Sequence, residues 1–272
     1  NHVVRGDDHL TNSFRQTQLF RALGWDVPKF AHVPLIHGSD GAKLSKRHGA
    51  LGAETYRDLG FLPEAMCNYL LRQGWSHGDD ETISREQAIE WFNLESIGRS
   101  PARFDVQKLT NLNGHYVREA DNQRLLDLIV NRVAAEIGQN LNDAQKARLL
   151  NGMDELKTRA KTINELAESA AFYAHPTPIP MDEKAKKALS KPETMDLLRN
   201  FYPFATTLES WTHDDLESSL RAYAESQEIK FGALAGPLRA TLTGQGVSPG
   251  LFEVMVVLGK EECLQRVQDV IK

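Results

Sequence analysis

The 272-residue sequence has only two cysteines, Cys67 and Cys263, far apart and without metal-type spacing. That excludes a disulfide framework and a cysteine zinc site. Each lies in an apolar, helix-like stretch and is read as a reduced core thiol of a cytosolic protein. No apolar run approaches the roughly 20 residues of a bilayer-spanning helix, which argues against a membrane protein. Residue 1 is Asn, not Met, and no charged-then-apolar leader follows. The expectation is therefore no signal peptide, and a fragment or trimmed chain. Internal repeats and low-complexity tracts are also absent. So is a strong net charge: the formal value of −5 does not announce a nucleic-acid binder, although basic groups can gather on one face of an acidic protein. What is present is ordinary for a globular protein, with 41% hydrophobic and 25% charged residues. The length suffices for two or three small domains.

Residues His2 to Arg5 read as the end of a strand. Leu10, Phe14, Phe20 and Leu23 form a helical stripe that Gly24 stops. Phe30 to His37 is a β-like run ending in the turn sequence Gly38-Ser39-Asp40-Gly41. Strand, helix, strand and loop in this order fit one end of an α/β sheet domain. From about Leu62 onward strand signals nearly vanish. Pro63 suits a first helical turn and Gly74 a stop. Ser84 and Gln87 form a capping box. Asp105 caps a helix that Asn113-Gly114 ends. Further helical patterns lie near 121–137, 142–174, 181–202 and 212–227, with Thr212 and Asp215 as a capping pair. Ser248-Pro249 opens a late helix that Gly259 stops. The prolines at 176, 178 and 180 divide the helical region into two bundles.

The strongest local signal is Lys43-Leu44-Ser45-Lys46-Arg47-His48-Gly49, behind the glycine turn. Three cations fall within five positions. Ammonium and guanidinium groups on such a loop can meet a polyphosphate and stabilise the charge that develops as pyrophosphate leaves. Ser45 and backbone N–H groups add neutral donors. From charge alone a solvated basic turn explains the segment as well. Asp79-Asp80-Glu81 lacks metal-ligand spacing and reads as a solvated loop. Trp25, Trp75, Trp91 and Trp211 read as core or junction packing.

Lys-Leu-Ser-Lys-Arg resembles the KMSKS signature of class I aminoacyl-tRNA synthetases. With Arg-His-Gly in this register it is similar to the bacterial-type glutamyl-tRNA synthetase family. The flanks carry the resemblance along the chain: Val3 to Leu10, Ala22 to Trp25, His32 to Ile36, Gly60 to Ala65, Asn68 to Leu70, Gly74 to Ser76, Leu112 to Tyr116, Pro237 to Gly244 and Leu258 to Glu261. The resemblance implies a mainly α chain with a small α/β part. In that reading residues 1–55 are the end of a class I Rossmann-type catalytic domain bearing the loop, a C-terminal remnant. Residues 56–122 form a helical stem-contact domain, and 123–175 and 176–272 are two anticodon-binding bundles.

The resemblance also implies roles for matched positions. Arg5 and Asp8 lie at the glutamate site; a planar guanidinium suits bidentate capture of a carboxylate, and an ion pair with Asp7 or Asp8 is the bland alternative for Arg5. Asp8 stands where the family usually has Glu. His9, Ile36, Lys43 and Lys46 lie at the ATP site, with the backbone of Ile36 beside adenine. Lys43, Ser45, Lys46 and Arg47 form the catalytic loop. Arg159 and Arg239 match positions near the third and first anticodon bases. For Arg159 a solvated helical arginine is the alternative; for Arg239 the neighbouring Pro and Gly suggest a helix start. Magnesium is expected with ATP, but no dedicated protein metal site is.

Class I synthetases also carry a His-x-Gly-His motif, and no such sequence occurs here. The reading is therefore a chain without the first half of the catalytic domain, inactive in glutamate activation by itself. The activity implied for the intact enzyme is ATP-dependent attachment of glutamate to tRNA-Glu through glutamyl-adenylate. The expected partners are tRNA-Glu, glutamate and ATP, with no membrane and no DNA. The alternative is a catalytically inactive tRNA-binding fragment or module. The relative that glutamylates a modified base lacks the long helical C-terminal half, which argues against it here.

Overall fold

The computed structural model describes residues 1–38, 40–44, 52–246 and 248–272. The chain divides into two compact units, Asn1–Tyr116 and Val117–Lys272.

In the first unit, strand β1 (His2–Gly6) runs parallel to β2 (Lys29–Val33), with Arg5 opposite His32. Parallel neighbours need a crossover, and helix α1 (Leu10–Ala22) lies between them in sequence. Gly24, with φ of +69°, follows the helix in the left-handed conformation that glycine adopts without strain. The run expected as one strand over Phe30–His37 is broken at Pro34, which has no N–H to donate. Its second part, β3 (Ile36–His37), pairs in parallel with β4 (Ala102–Arg103). At two residues β4 is too short for alternation to show in a sequence. The expectation of a mere C-terminal remnant of a nucleotide fold is corrected here. A whole parallel β-α-β unit stands between residues 2 and 33, and a second parallel pair follows.

The stripe read from α1 forms a helix but is not buried. Phe14 is 70% exposed and Leu23 57%, whereas the polar Ser13 is buried. Trp25 is likewise 62% exposed, against the expected packing role, while Trp75 is buried. Cys67 is exposed rather than in the core; Cys263 is buried.

Three further helices, α2 (Ala53–Asp58), α3 (Pro63–Leu71) and α4 (Arg85–Trp91), precede α5 (Val106–Glu119). Pro63 occupies the first turn of α3, as its fixed φ favours. At α4 the capping box is reciprocal: the Gln87 N–H donates to Ser84 Oγ and the Ser84 N–H to Gln87 Oε1. The Lys108 N–H donates to Asp105 Oδ1 at 3.1 Å, capping α5. Tyr56, Phe61, Tyr69 and Leu109 form the core, with Phe104 packed edge-on to Tyr69.

Helix α5 does not end at Asn113-Gly114 as expected. The Asn113 side chain is fully buried, accepts the Leu62 N–H at 2.7 Å and donates to the Gly60 carbonyl at 3.4 Å. Engaged across the core, it does not compete for its own backbone, and the helix continues to Glu119. Asn113→Ala leaves the Leu62 N–H buried without that acceptor. The expected cost is about 1–3 kcal/mol, measured by urea unfolding; an unchanged midpoint would contradict the assignment.

The second unit is helical throughout its described residues. In order come α6 (Asn122–Ile137), α7 (Asp143–Asn151), α8 (Met153–Lys157), α9 (Ile163–Ala170), α10 (Glu183–Leu189), α11 (Pro192–Thr207), α12 (His213–Ser226), α13 (Phe231–Thr243), α14 (Leu251–Leu258) and α15 (Lys260–Ile271). Side chains of Asp121, Asn142, Thr162, Asp182 and Thr212 cap five of them. Leu125, Ile129 and Val133 form the buried stripe of α6, which packs on α9. The helical pattern at 142–174 resolves into three helices. Gly152 lies at the first break, where a Cβ would come within 2.6 Å of the Tyr173 ring. Helix α13 begins at Phe231 and carries Pro237 inside it, so the helix start expected near Arg239 is corrected. No helix among the described residues is long and apolar enough to cross a membrane.

Candidate functional site

In the first unit the carboxyl end of β1 and the turn after it collect the residues singled out there. The parallel register sets Arg5 opposite His32. Arg5 Nη2 donates to Ser13 Oγ at 2.8 Å, Nε donates to His32 Nε2 at 3.5 Å, and the guanidinium lies 5.4 Å from the Phe30 ring centre. Ser13 Oγ and His32 Nε2 are themselves 3.2 Å apart. Ser13 and His32 thus hold the half-buried Arg5, and reading by motif missed both. The signal for His32 was the strand pairing, which motif reading does not supply. The bland alternative for Arg5 is not realised: no ion pair of Arg5 with a carboxylate occurs among the described residues. The guanidinium is positioned by Ser13, His32 and the Phe30 ring, without a carboxylate among the described residues.

Asp8 instead pairs with Lys43, Nζ to Oδ2 at 2.6 Å. The turn after β3 makes this possible. The Gly38 N–H donates to the Ala42 carbonyl and the Leu44 N–H to the Ile36 carbonyl, both at 2.9 Å. Asp40 Oδ1 accepts the Ala42 N–H at 3.0 Å. The chain folds back on itself, and Lys43 bridges to His37. Ile36 is half-buried in β3 and its carbonyl is already engaged by Leu44. His9 is exposed, its Nδ1 3.1 Å from Asn12 Nδ2. Ser45, Lys46 and Arg47 lie outside the described residues.

The hydrogen bond from Lys43 holds the Asp8 carboxyl below the usual carboxylate range, helped by the charges of Lys43 and His9 against some desolvation. A carboxyl with a depressed folded-state pKa favours folding above its unfolded pKa, and that contribution is lost as pH falls through the folded one. Asp8 is thus expected to titrate below 3.8. Carboxyl-carbon NMR checks this, and Lys43→Ala should move the midpoint up. A midpoint insensitive to Lys43→Ala would show that the pair does not form in solution.

In the second unit Arg159 lies between α8 and α9, not on a helix face as the alternative had it. Its Nη1 donates to the Ser248 carbonyl at 2.6 Å. It lines a cleft of about 690 Å³ with Glu165, Glu168, Asp182, Lys184 and Gln245. A lining this acidic repels phosphate and favours groups that donate hydrogen bonds, such as base amino groups. Arg239 is half-buried on α13, and its Nε is buried with no partner among the described residues. It is not part of that cleft.

Residues 123–271 match the family model described as "Anticodon binding domain". Residues 1–111 match "tRNA synthetases class I (E and Q), catalytic domain". The chain is 59% identical over 268 residues to "Glutamate–tRNA ligase 2" of Paramagnetospirillum magneticum, covering 98% of this chain and 56% of that protein. The protein of the same name from Rhodospirillum rubrum is 58% identical, again across 98% of this chain and 57% of the relative. Among solved structures, a glutamate tRNA ligase from Elizabethkingia meningosepticum, in complex with its amino acid, superposes with a TM-score of 0.83 at 30% identity. That superposition covers 100% of this chain and 57% of the other. The chain therefore spans somewhat over half the length of these relatives. The reading of a C-terminal portion with only the tail of a catalytic domain is corrected by the catalytic-domain match. That match runs from residue 1 to 111 and is followed by the anticodon-binding match. The match to a class I catalytic-domain model and the match to an anticodon-binding model follow one another along this chain.

Proposed function

We propose that this chain, which belongs to the anticodon-binding domain family, serves the ATP-dependent attachment of glutamate to tRNA-Glu through glutamyl-adenylate. The observation that carries the reading is the succession of the class I (E and Q) catalytic region and the anticodon-binding region on one chain.

In this reading the guanidinium of Arg5 takes a carboxylate of glutamate. Ser13 and His32 fix its plane without neutralising it, which suits bidentate capture. Asp8 and Lys43 fasten the base of the catalytic loop beside that site. His9 and Ile36 border the adenosine. Lys43, Ser45, Lys46 and Arg47 meet the triphosphate and stabilise the charge on departing pyrophosphate as glutamate attacks the α-phosphorus. Residues 56–122 contact the tRNA stem, and the bundles 123–175 and 176–272 read the anticodon through Arg159 and Arg239. Among the described residues no group of three or more His, Cys, Asp or Glu is gathered that could hold a metal ion. Magnesium is expected with the ATP substrate, and no step is assigned to a protein-held ion. Free tRNA, ATP and glutamate place the reaction in the cytoplasm.

The test is filter binding of the chain to tRNA-Glu and to an unrelated tRNA across a salt series. The reading predicts preference for tRNA-Glu and affinity that falls linearly with salt on logarithmic axes. Equal binding of both tRNAs, or none, would reject it.

A further inference from the structure

Within the segment read as the stem-contact region, and away from the residues assigned to glutamate and ATP, helices α3 and α4 enclose a cleft of about 670 Å³. That volume lies in the range of small-molecule sites, which are mostly apolar with a few placed polar groups. Leu71, Ile83, Ile89 and Phe92 line it, and Ile89 is 73% exposed. Glu64, Ser84, Arg85 and Tyr116 add polar groups to the lining, and the buried one is Asn68, 3% exposed. Its Nδ2 donates to the Glu81 carbonyl at 3.0 Å, while its Oδ1 is buried with no hydrogen-bond partner among the described residues. A buried carbonyl oxygen left unpaired costs free energy that a donor in the cleft would recover. Cys67 lies in the same lining, next in sequence to Asn68, and is exposed.

We propose that this cleft is a binding site for a small, neutral, apolar molecule carrying one N–H or O–H donor, with the donor on Asn68 Oδ1 and the apolar body against Ile83, Ile89 and Phe92. Among the lining residues Asn68 Oδ1 is the one buried side-chain polar atom without a partner among the described residues, which argues for a single buried donor; Glu64 and Arg85 in the lining carry one charge of each sign. The half-buried edge of α4 at Ala88 forms the opposite wall.

The position of Cys67 supplies the readout. The chain has two cysteines, and burial pushes the Cys263 thiol up to about 12, so in the folded protein iodoacetamide reacts at Cys67. Indole is the probe, with 1-methylindole as the same body without its donor. Indole is expected to slow alkylation of Cys67 in proportion to occupancy, about tenfold at ten times its Kd. The midpoint for 1-methylindole is expected about tenfold higher, for one lost hydrogen bond. Ala88→Phe, which fills the cleft, should abolish protection by indole while the far-UV circular dichroism and the urea midpoint stay those of the unsubstituted chain. No protection by indole overturns the site. Equal protection by both probes overturns the role of Asn68. Protection that survives Ala88→Phe places the probe elsewhere and overturns the proposal. An unchanged urea midpoint in each arm separates these outcomes from misfolding, and none of them depends on the ligase reading.

Discussion

Glu262→Ala is expected to destabilise the helical unit by about 3–5 kcal/mol, the scale for breaking a buried ion pair from one side. Arg266 on α15 is the reason. Its side chain has no solvent exposure. Nε donates to Glu262 Oε1 at 2.8 Å and Nη1 to the Leu242 carbonyl at 2.6 Å, while Nη2 has no partner among the described residues. Burial pulls the Arg266 pKa down, and the Glu262 carboxylate opposes that pull. The other Glu262 oxygen accepts from Arg148 Nη2 at 3.0 Å, so one carboxylate compensates two guanidinium groups. Removing it strands a cation in the core with a single carbonyl. The same cation, after burial, helps hold the His175 pKa below its ordinary value. Urea unfolding measures the loss. Replacing both members, Glu262→Leu with Arg266→Met, should cost less than Glu262→Ala, because no charge is then buried alone. A Glu262→Ala protein within about 0.5 kcal/mol of wild type, the range of an inert surface change, would contradict the buried network.

Arg239→Ala is expected to weaken tRNA-Glu binding by about 1–3 kcal/mol, the scale of one specific base contact. The guanidinium sits in the interior of α13, two residues after Pro237. A proline there removes one backbone hydrogen bond of the helix, yet the helix runs on to Thr243, so Arg239 projects from a fixed element rather than a fraying end. Its Nε is buried and unpartnered among the described residues, and no ion pair ties it to a carboxylate there. An arginine held in place but not neutralised can stack on a splayed base and donate to its edge. Circular dichroism and unfolding should be nearly unchanged, which separates this loss from misfolding. Unaltered affinity with unaltered anticodon preference would remove Arg239 from the interface.

Local chemistry was the legible part of the fold. The capping box at Ser84 and Gln87, the Thr212 cap and the Pro63 start depend on residues three or four apart, and the structure places each where its side chain indicated. Misreadings arose where a distant partner decides. Asn113 looked like a helix stop because its engagement with Leu62 and Gly60 lies half a unit away in sequence. The stripe through Phe14 and Leu23 marks a helix, but period alone cannot say what a stripe faces, and both residues are exposed. Pro237 looked like a helix start because a proline inside a helix has the same local signature. At the site, the resemblance singles out Arg5 and Asp8, but the grip of Ser13 and His32 on Arg5 and of Lys43 on Asp8 arises from strand register and a folded-back turn. The extent of the catalytic region was also misjudged. The absence of one short motif does not bound a match that runs over residues 1–111.

The central claim is that the helical unit reads a tRNA anticodon, and one experiment meets it directly. Binding of the chain to tRNA-Glu is compared with binding to the same tRNA altered at one anticodon base at a time, for wild type and Arg239→Ala. The account predicts that changing the first anticodon base weakens wild-type binding by about 1–3 kcal/mol and that Arg239→Ala erases most of that difference. Wild-type affinity indifferent to every anticodon base would contradict it.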